Sequence, residues 1–421
     1  MLKVEENFTQ QIDAWVLNAL SQELTSFNQL LTCLPGVYPS FALSSIQHLV
    51  QMNRIPPEIL TILEPRAKEE QKQDTRLDHT IKLPVPHPLD YDWRFSDLSV
   101  DLLLDKCKYL SSTRDLITLL GTPSVLRSAI EQKYPREVIL IDINSIIIEK
   151  FRKIAPTIQA LQYDIRKDQL PELHSSVVIT DPPWYEEYIR LFLWAACQFC
   201  QVGGYILISL PPVGTRPNMH QERKNLLNWT QQQGLKLVQL EHGALPYVSP
   251  LFEHNALKAD GLYYISREWR RGDLAIFHYT QKTPCQRPAV PTSYQDKWIE
   301  FVLESVRIRI KHSDMAGFQN PMLLSIIPGD ILPSVSRRDD KRKHVDVWTS
   351  GNRVFRCGGT TTLQYILQAL TLDISPYEFL ANMYKRGLTS NEVTLVSQTV
   401  NQINSIVSIE RNEILSLKGD T

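Results

Sequence analysis

Between residues 116 and 210, apolar runs of strand length alternate with stretches of helical spacing, and few folds accommodate that order. Leu116-Ile117-Thr118-Leu119-Leu120 reads as a strand and Ser124 to Lys133 as a helix. Val138-Ile139-Leu140-Ile141-Asp142 is a second strand, followed by a helix from Ile146 to Ile154. A third short strand ends near Tyr163-Asp164, and a fourth, Val177-Val178-Ile179-Thr180, ends at Asp181. The spacing predicts a helix from Glu186 to Gln201, then a fifth strand, Tyr205-Ile206-Leu207-Ile208-Ser209-Leu210. Strands joined by helices imply an α/β fold with a mostly parallel sheet and helices on both faces. A ligand of such a sheet lies beyond the carboxyl ends of its strands, at the switch point. Lys236 to Leu240 and Leu274 to Tyr279 read as the last two strands. The long connection between them carries Tyr247, Phe252, Glu253, His254, Asn255, Arg267, Trp269, Arg270 and Arg271, as a substrate-choosing lid or as a surface excursion held by aromatics.

The chemistry gathers at the strand ends. Asp142, Asp164 and Asp181 close three consecutive strand signals. Asp142 lies roughly 20 residues beyond Gly121, the spacing of an acid that accepts from both hydroxyls of a ribose. In Asp181-Pro182-Pro183-Trp184-Tyr185, a carboxylate meets two prolines that bring carbonyl acceptors without N–H donors, so the turn suits an incoming N–H group. Trp184 and Tyr185 add flat faces for a planar amine-bearing ring or an amine cation. The first strand-to-helix turn, Leu120-Gly121-Thr122-Pro123-Ser124, has a single glycine, and Pro123 removes one donor. Ser124 can still cap the helix there.

The Asp-Pro-Pro-Trp turn in this setting resembles the motif of amino-group methyltransferases in the Rossmann-like superfamily that uses S-adenosylmethionine. The resemblance implies that Asp181, Pro182, Pro183, Trp184 and Tyr185 hold the substrate amine in line with the cofactor's methyl group. It also implies a cofactor site of Gly121, Thr122 and Ser124 in the first turn, with Asp142 on the ribose and Asp164 on the adenine amino group. Ile143 and Ile165 would pack on the adenine ring. The Pro-Ser turn is similar to the branch originally labelled adenine-specific, which includes lysine-modifying enzymes. A second resemblance covers residues from about 80 to 280. Tyr163-Asp164-Ile165-Arg166, Leu170-Pro171-Glu172, the Asp-Pro-Pro turn and Leu191-Phe192-Leu193 look like the branched-polyamine synthases, which transfer aminopropyl groups from decarboxylated S-adenosylmethionine. Those enzymes carry an acidic run in the first turn and an acid after Pro-Pro. Here Thr122-Pro123-Ser124 and Trp184-Tyr185 stand instead, which weakens the case for a polycationic substrate. The expected activity is therefore N-methylation of a nucleobase, protein side chain or amine. Aminopropyl transfer comes second, and a scaffold that has lost catalysis stays open.

Outside this region the chain reads as two further modules. Residues 1–80 form a helical or winged-helix-like module broken at Pro35-Gly36 and Pro56-Pro57, with a charged stretch from Arg66 to Asp78 before the proline-stiffened approach to the transferase domain at 81–282. Pro284, Pro288 and Pro291 open a mixed module at 283–421. There Trp298, Phe301, Val302 and Val306 pattern a helix, and Thr349-Ser350-Gly351-Asn352 turns a hairpin. Thr389-Ser390-Asn391-Glu392 has capping-box spacing. With 45 basic and 46 acidic side chains, any nucleic-acid contact needs a local patch. Arg337, Arg338, Lys341, Arg342 and Lys343 are such a cluster, as a phosphate contact or a solvated loop. Cys197 and Cys200 have no partner pair for a metal half-site and read as core thiols. No apolar leader or membrane span is expected, which makes the cytoplasm the default location.

Overall fold

The computed structural model describes residues 2–63, 79–290, 297–336 and 339–419. The charged stretch from Arg66 to Asp78, as well as Pro291, Arg337 and Arg338, lies outside the described residues or at their edge. The chain forms two compact units. The first comprises 1–83, 93–249 and 262–291; the second comprises 84–92, 250–261 and 292–421.

In the first unit, helices α1 (Leu2–Leu20), α2 (Phe27–Cys33), α3 (Pro39–Gln51) and α4 (Glu58–Ile62) precede an eight-stranded sheet. Its elements are β1 (Arg94–Phe95), α5 (Asp97–Leu110), β2 (Leu116–Leu120), α6 (Pro123–Glu131), β3 (Glu137–Asp142), α7 (Ser145–Ile154), β4 (Gln159–Gln162), β5 (Ser175–Thr180), α8 (Glu186–Phe199), β6 (Cys200–Leu210), α9 (Met219–Gln232) and β7 (Leu235–Val248). After the excursion α10 (Leu251–Ala259), β8 (Arg271–Tyr279) completes the sheet, in the order β1-β7-β8-β6-β5-β2-β3-β4. The five strands from β6 to β4 run parallel, while β8 is antiparallel to both β6 and β7. The order reverses between β2 and β5, so the switch point falls where Gly121 and Asp181 follow the paired residues Leu120 and Thr180.

Every residue of β5 is buried, as expected of a central strand covered on both faces. One layer packs Val100, Leu103, Val125, Ile147 and Phe151 of α5, α6 and α7 against Ile117, Leu140 and Val177. The opposite layer packs Ile189, Leu193, Phe199 and Leu226 of α8 and α9 against Ile141, Val178 and Ile206. Cys197 and Cys200 belong to this second layer, where burial pushes the Cys200 thiol up to about 12. The amino-terminal helices join the unit through close backbone contact. Gly214 N donates to Pro35 O at 2.7 Å, and a Cβ on Gly36, at φ +79°, would collide with Pro212.

Ahead of the sheet, His79 bridges two acids, with Nδ1 2.6 Å from Glu131 and Nε2 3.0 Å from Asp97. The Asp97 hydrogen bond raises the histidine's pKa; burial and Arg127 oppose the rise, and Glu131 supports it. A raised folded-state pKa contributes stability that is complete below the unfolded value of about 6.5 and is lost as pH rises through the folded value. Melting temperature is therefore expected to fall across that window more steeply in the native chain than in His79→Gln. Identical pH profiles would remove His79 as a stabilising cation.

The second unit corrects the helix expected near residue 300. Trp298–Leu303 and Val306–Lys311 are strands, β9 and β10, paired about Glu304 and Ser305, both at positive φ. The spacing of Trp298, Phe301 and Val302 mimicked a helix face, while the alternation of Val306, Ile308 and Ile310 set the strand. The turn has neither glycine nor asparagine to announce it. With β11 (Leu324–Ser325), β12 (Val347–Thr349) and β13 (Val354–Arg356), these strands form an antiparallel sheet in the order β11-β13-β12-β10-β9. Helices α11 (Thr360–Thr371), α12 (Pro376–Tyr384) and α13 (Ser390–Gly419) cover it. The capping box opens α13: Thr389 N donates to Glu392 at 2.8 Å, and Glu392 N donates back to Thr389 Oγ1 at 3.3 Å. The β12–β13 turn wraps the buried Glu410 carboxylate, which accepts from Gly351 N at 2.8 Å and from Arg353 at 3.2 Å. Within the long connection, α10 is part of this second unit, and its Asn255 donates to Gly351 O at 2.9 Å and Glu413 at 3.0 Å. Of the basic cluster, Lys343 pairs with Asp340 at 2.6 Å, and Arg342 lies 4.6 Å above the Trp348 ring.

Candidate active site

The carboxyl edge of the sheet brings the strand-end residues into one row. From the outer strand inward come Asp164 beyond β4, Asp142 at the end of β3, Gly121 after β2 and Asp181 after β5. Pro182 and Pro183 cannot donate to a ladder, so β5 stops there and the chain turns into α8, with Tyr185 as its N-cap. Tyr185 N takes the Pro183 carbonyl at 2.7 Å. The Pro183 carbonyl is thereby taken up within the turn itself. Glu186 and Glu187 in the first turn of α8 suit the positive end of the helix.

Asp181 is half-buried and tied down. The Tyr247 hydroxyl lies 2.6 Å from Asp181 Oδ1 and 2.6 Å from Ser209 Oγ. With one proton, the phenol donates to the carboxylate and accepts from the serine. Burial, then the Asp181 charge, pushes the Tyr247 pKa well above its ordinary value, so the phenol stays a donor. Tyr247, expected in the connection, is instead on β7. That strand runs 14 residues with register shifts at Leu237/Gln239 and Glu241/Leu245, and so carries Tyr247 to the site. Trp184, 8% exposed, meets Tyr247 edge-on at 5.7 Å. The Arg270 guanidinium sits over two indoles, 4.1 Å from the Trp184 ring and 4.0 Å from the Trp93 ring. Arg216, paired with Glu222, donates to Trp184 O at 2.7 Å.

Tyr247→Phe is expected to lower transfer about 10-fold or more by removing the hydroxyl's hold on the Asp181 carboxylate, with a stability loss of about 1–3 kcal/mol from the stranded Ser209. A kcat fall with little change in KM would mark Tyr247 as a positioning residue, and unaltered kcat would remove it from the site.

The first turn fits a nucleoside. Gly121, at φ +67°, takes the conformation that glycine allows; a Cβ there would press to 3.3 Å from Phe192 and 3.9 Å from Asp181 O. Thr122 is 1% exposed and its hydroxyl has no hydrogen-bond partner, although it stands at the N-cap of α6. Ser124 is equally buried. Such a stranded hydroxyl beside a tight glycine turn is what a polar ligand at the switch point would satisfy. Asp142 Oδ1 accepts from Asn144 N at 2.8 Å, while Ile143 is 52% exposed, open for a ring to pack on. Asp164 fits the adenine amino group less well. Arg166 grips its carboxylate with Nε and Nη2, both at 2.8 Å, and with its backbone N–H at 3.0 Å. Burial raises the Asp164 pKa, and the Arg166 bonds and charge outweigh it, holding the carboxyl below its usual value. A base amine would have to share that carboxylate with Arg166. Ile165 is buried beside it.

Sequence reasoning placed Asp181, Gly121 and Asp142 along this edge but missed Tyr247, Ser209, Trp93 and Arg270 as neighbours of Asp181. Ser209 had a signal, as the polar residue in the run Ile206-Leu207-Ile208-Ser209-Leu210. Tyr247 and Arg270 were placed in the long connection, and nothing local marked Trp93; register shifts and long-range packing bring all three in.

Among the described residues, no helix is long and apolar enough to cross a membrane. The sequence matches no protein-family model and no curated protein. Solved structures do share the fold. The C9 mutein of the branched-chain polyamine synthase from Thermus thermophilus, in complex with N4-aminopropylspermidine and 5'-methylthioadenosine, aligns with a TM-score of 0.53 and 13% identity over 70% of this chain and 96% of that one. The unmodified synthase gives 0.48 and 12% over 67% and 90%. A TehB-like SAM-dependent methyltransferase from Corynebacterium glutamicum gives 0.28 and 12% over 44% and 90%. At 13% identity the likeness to the mutein shows the fold, a Rossmann-like, mostly parallel sheet flanked by helices.

Proposed function

We propose that the first unit is an S-adenosylmethionine-dependent N-transferase, with methylation of an amino group as its reaction. The observation that carries this reading is the Asp181 carboxylate, held by Tyr247, one strand from the Gly121 turn at the switch point. With the Pro182 carbonyl as a second acceptor, it would aim a nitrogen lone pair, and orientation of that kind supplies several orders of magnitude in rate. Asp181 also stabilises positive charge on the nitrogen and can take its proton.

Gly121, Thr122, Ser124 and Asp142 would hold the cofactor's adenosine and chain, with Ile143 and Ile165 on the base and Asp164 shared with Arg166. When bound, S-adenosylmethionine supplies a carbon made electrophilic by its sulfonium. The runner-up is aminopropyl transfer from decarboxylated S-adenosylmethionine, favoured by the fold shared with the polyamine synthase. Against it stand Trp184 and Tyr185 where that family has an acid. The acceptor's class is tested by incubating cell extract with cofactor labelled on the methyl group and identifying labelled products by mass spectrometry. A methylated amine is expected. Label that never leaves the cofactor would overturn the reading.

A further inference from the structure

Trp93 and Trp184 face one another across the Arg270 guanidinium, each ring centroid about 4 Å from its central carbon. Trp184 belongs to the turn that carries Asp181, and both indoles touch Tyr247 edge-on, at 5.7 and 6.4 Å. The two rings therefore wall a slot beside the Asp181–Tyr247 pair, and the chain's own Arg270 fills it. A guanidinium is planar, delocalised and weakly hydrated, so it stacks between aromatic faces, whereas an alkylammonium is a compact and strongly hydrated charge. The Arg270 backbone is held, because its carbonyl accepts from Tyr247 N at 2.9 Å. A rotation of its side chain out of the slot would leave that backbone bond in place.

Building on the transferase reading above, we propose that the acceptor takes the place of Arg270 between Trp93 and Trp184. Its reacting nitrogen belongs to a planar conjugated group, a guanidino or aryl-amine function, and not to an alkylammonium. Arg270 is then a built-in competitor. Apparent acceptor affinity is the intrinsic affinity scaled by the fraction of molecules whose slot is open. Trp93, outside the Asp-Pro-Pro-Trp turn, is the second wall and a specificity residue.

The test is cofactor-free titration calorimetry of the full chain with N-acetyl-L-arginine amide, adenosine, cytidine and spermidine. Arg270→Ala is expected to bind at least one planar probe about tenfold or more tighter than the native chain, with no such gain for spermidine. The probe that gains identifies the source, guanidino or aryl amine. In the double variant Arg270→Ala, Trp93→Ala the gain is expected to vanish. Equal affinity of R270A and native chain for all planar probes, an equal gain for spermidine, or a gain that survives loss of Trp93 would each overturn the proposal. Circular dichroism checks the fold. Arg270→Gln, which keeps a planar amide in place of the cation, serves if R270A does not fold, and is read by the same criteria. Because no cofactor is present, failure of this inference is separate from failure of the transferase reading, which a lack of S-adenosylmethionine binding would reveal.

Discussion

Asp181→Asn is expected to lower transfer by about 10²–10⁴-fold while leaving cofactor affinity within about twofold. The substitution keeps the shape of the side chain and a carbonyl acceptor for the Tyr247 hydroxyl, 2.6 Å away. It removes the charge proposed to stabilise a developing cation, and it places an amide N–H where an acceptor's own N–H would point. The residues proposed to hold the cofactor, Gly121 and Asp142, lie on neighbouring strands and are left unchanged. Single-turnover rates with calorimetry on the same preparation separate the two effects. A variant as active as the native chain would take Asp181 out of the reaction, and one that loses cofactor binding as well would make its role structural.

The second large effect is on stability. Asp273 on β8 is 1% exposed and holds Arg223 of α9 at 2.6 Å, His242 at 3.0 Å and Gly243 N at 2.8 Å. Arg223, itself buried, also donates to the Pro211 carbonyl, just past the end of β6. Asp273→Ala strands a buried guanidinium and the Gly243 N–H together, and breaking one side of such a pair costs about 3–5 kcal/mol. Urea unfolding followed by tryptophan fluorescence should show a lower midpoint at unchanged slope. An unchanged midpoint would mean that solvent reaches Arg223 and compensates. Because Arg223 anchors the exit of β6, two residues after Ser209, activity is expected to fall with the midpoint.

Much of the first unit could be read from local pattern. Strands β2, β3 and β5 are buried on both faces, so their apolar runs are nearly unbroken, and Pro182-Pro183 marks the end of β5 without ambiguity. The acids at 142, 164 and 181 followed from those ends. Partners set by long-range register were not legible. Tyr247 reaches Asp181 because β7 slips twice against β8; Gly243 and Pro246 flag an irregular strand there but not the register that results. Arg166 sits two residues after Asp164, yet only the turn's geometry shows that its guanidinium doubles back onto the carboxylate. In the second unit the β9–β10 hairpin was hidden by a turn, Glu304-Ser305, made of residues that rarely take positive φ. Likewise α10, placed by sequence between two strands of one domain, belongs to the other unit, where Asn255 reads the carbonyl of Gly351.

The central claim is that the edge formed by Gly121, Asp142 and Asp181 holds an activated sulfonium compound beside an amine. Titration calorimetry of the full chain with S-adenosylmethionine and with its decarboxylated form addresses it directly, with Asp142→Ala as the control. The account predicts one site per chain, a preference for S-adenosylmethionine, and affinity about tenfold or more weaker in Asp142→Ala, the worth of a charge-assisted pair of hydrogen bonds. Heat from neither compound, or binding that ignores Asp142, would contradict it.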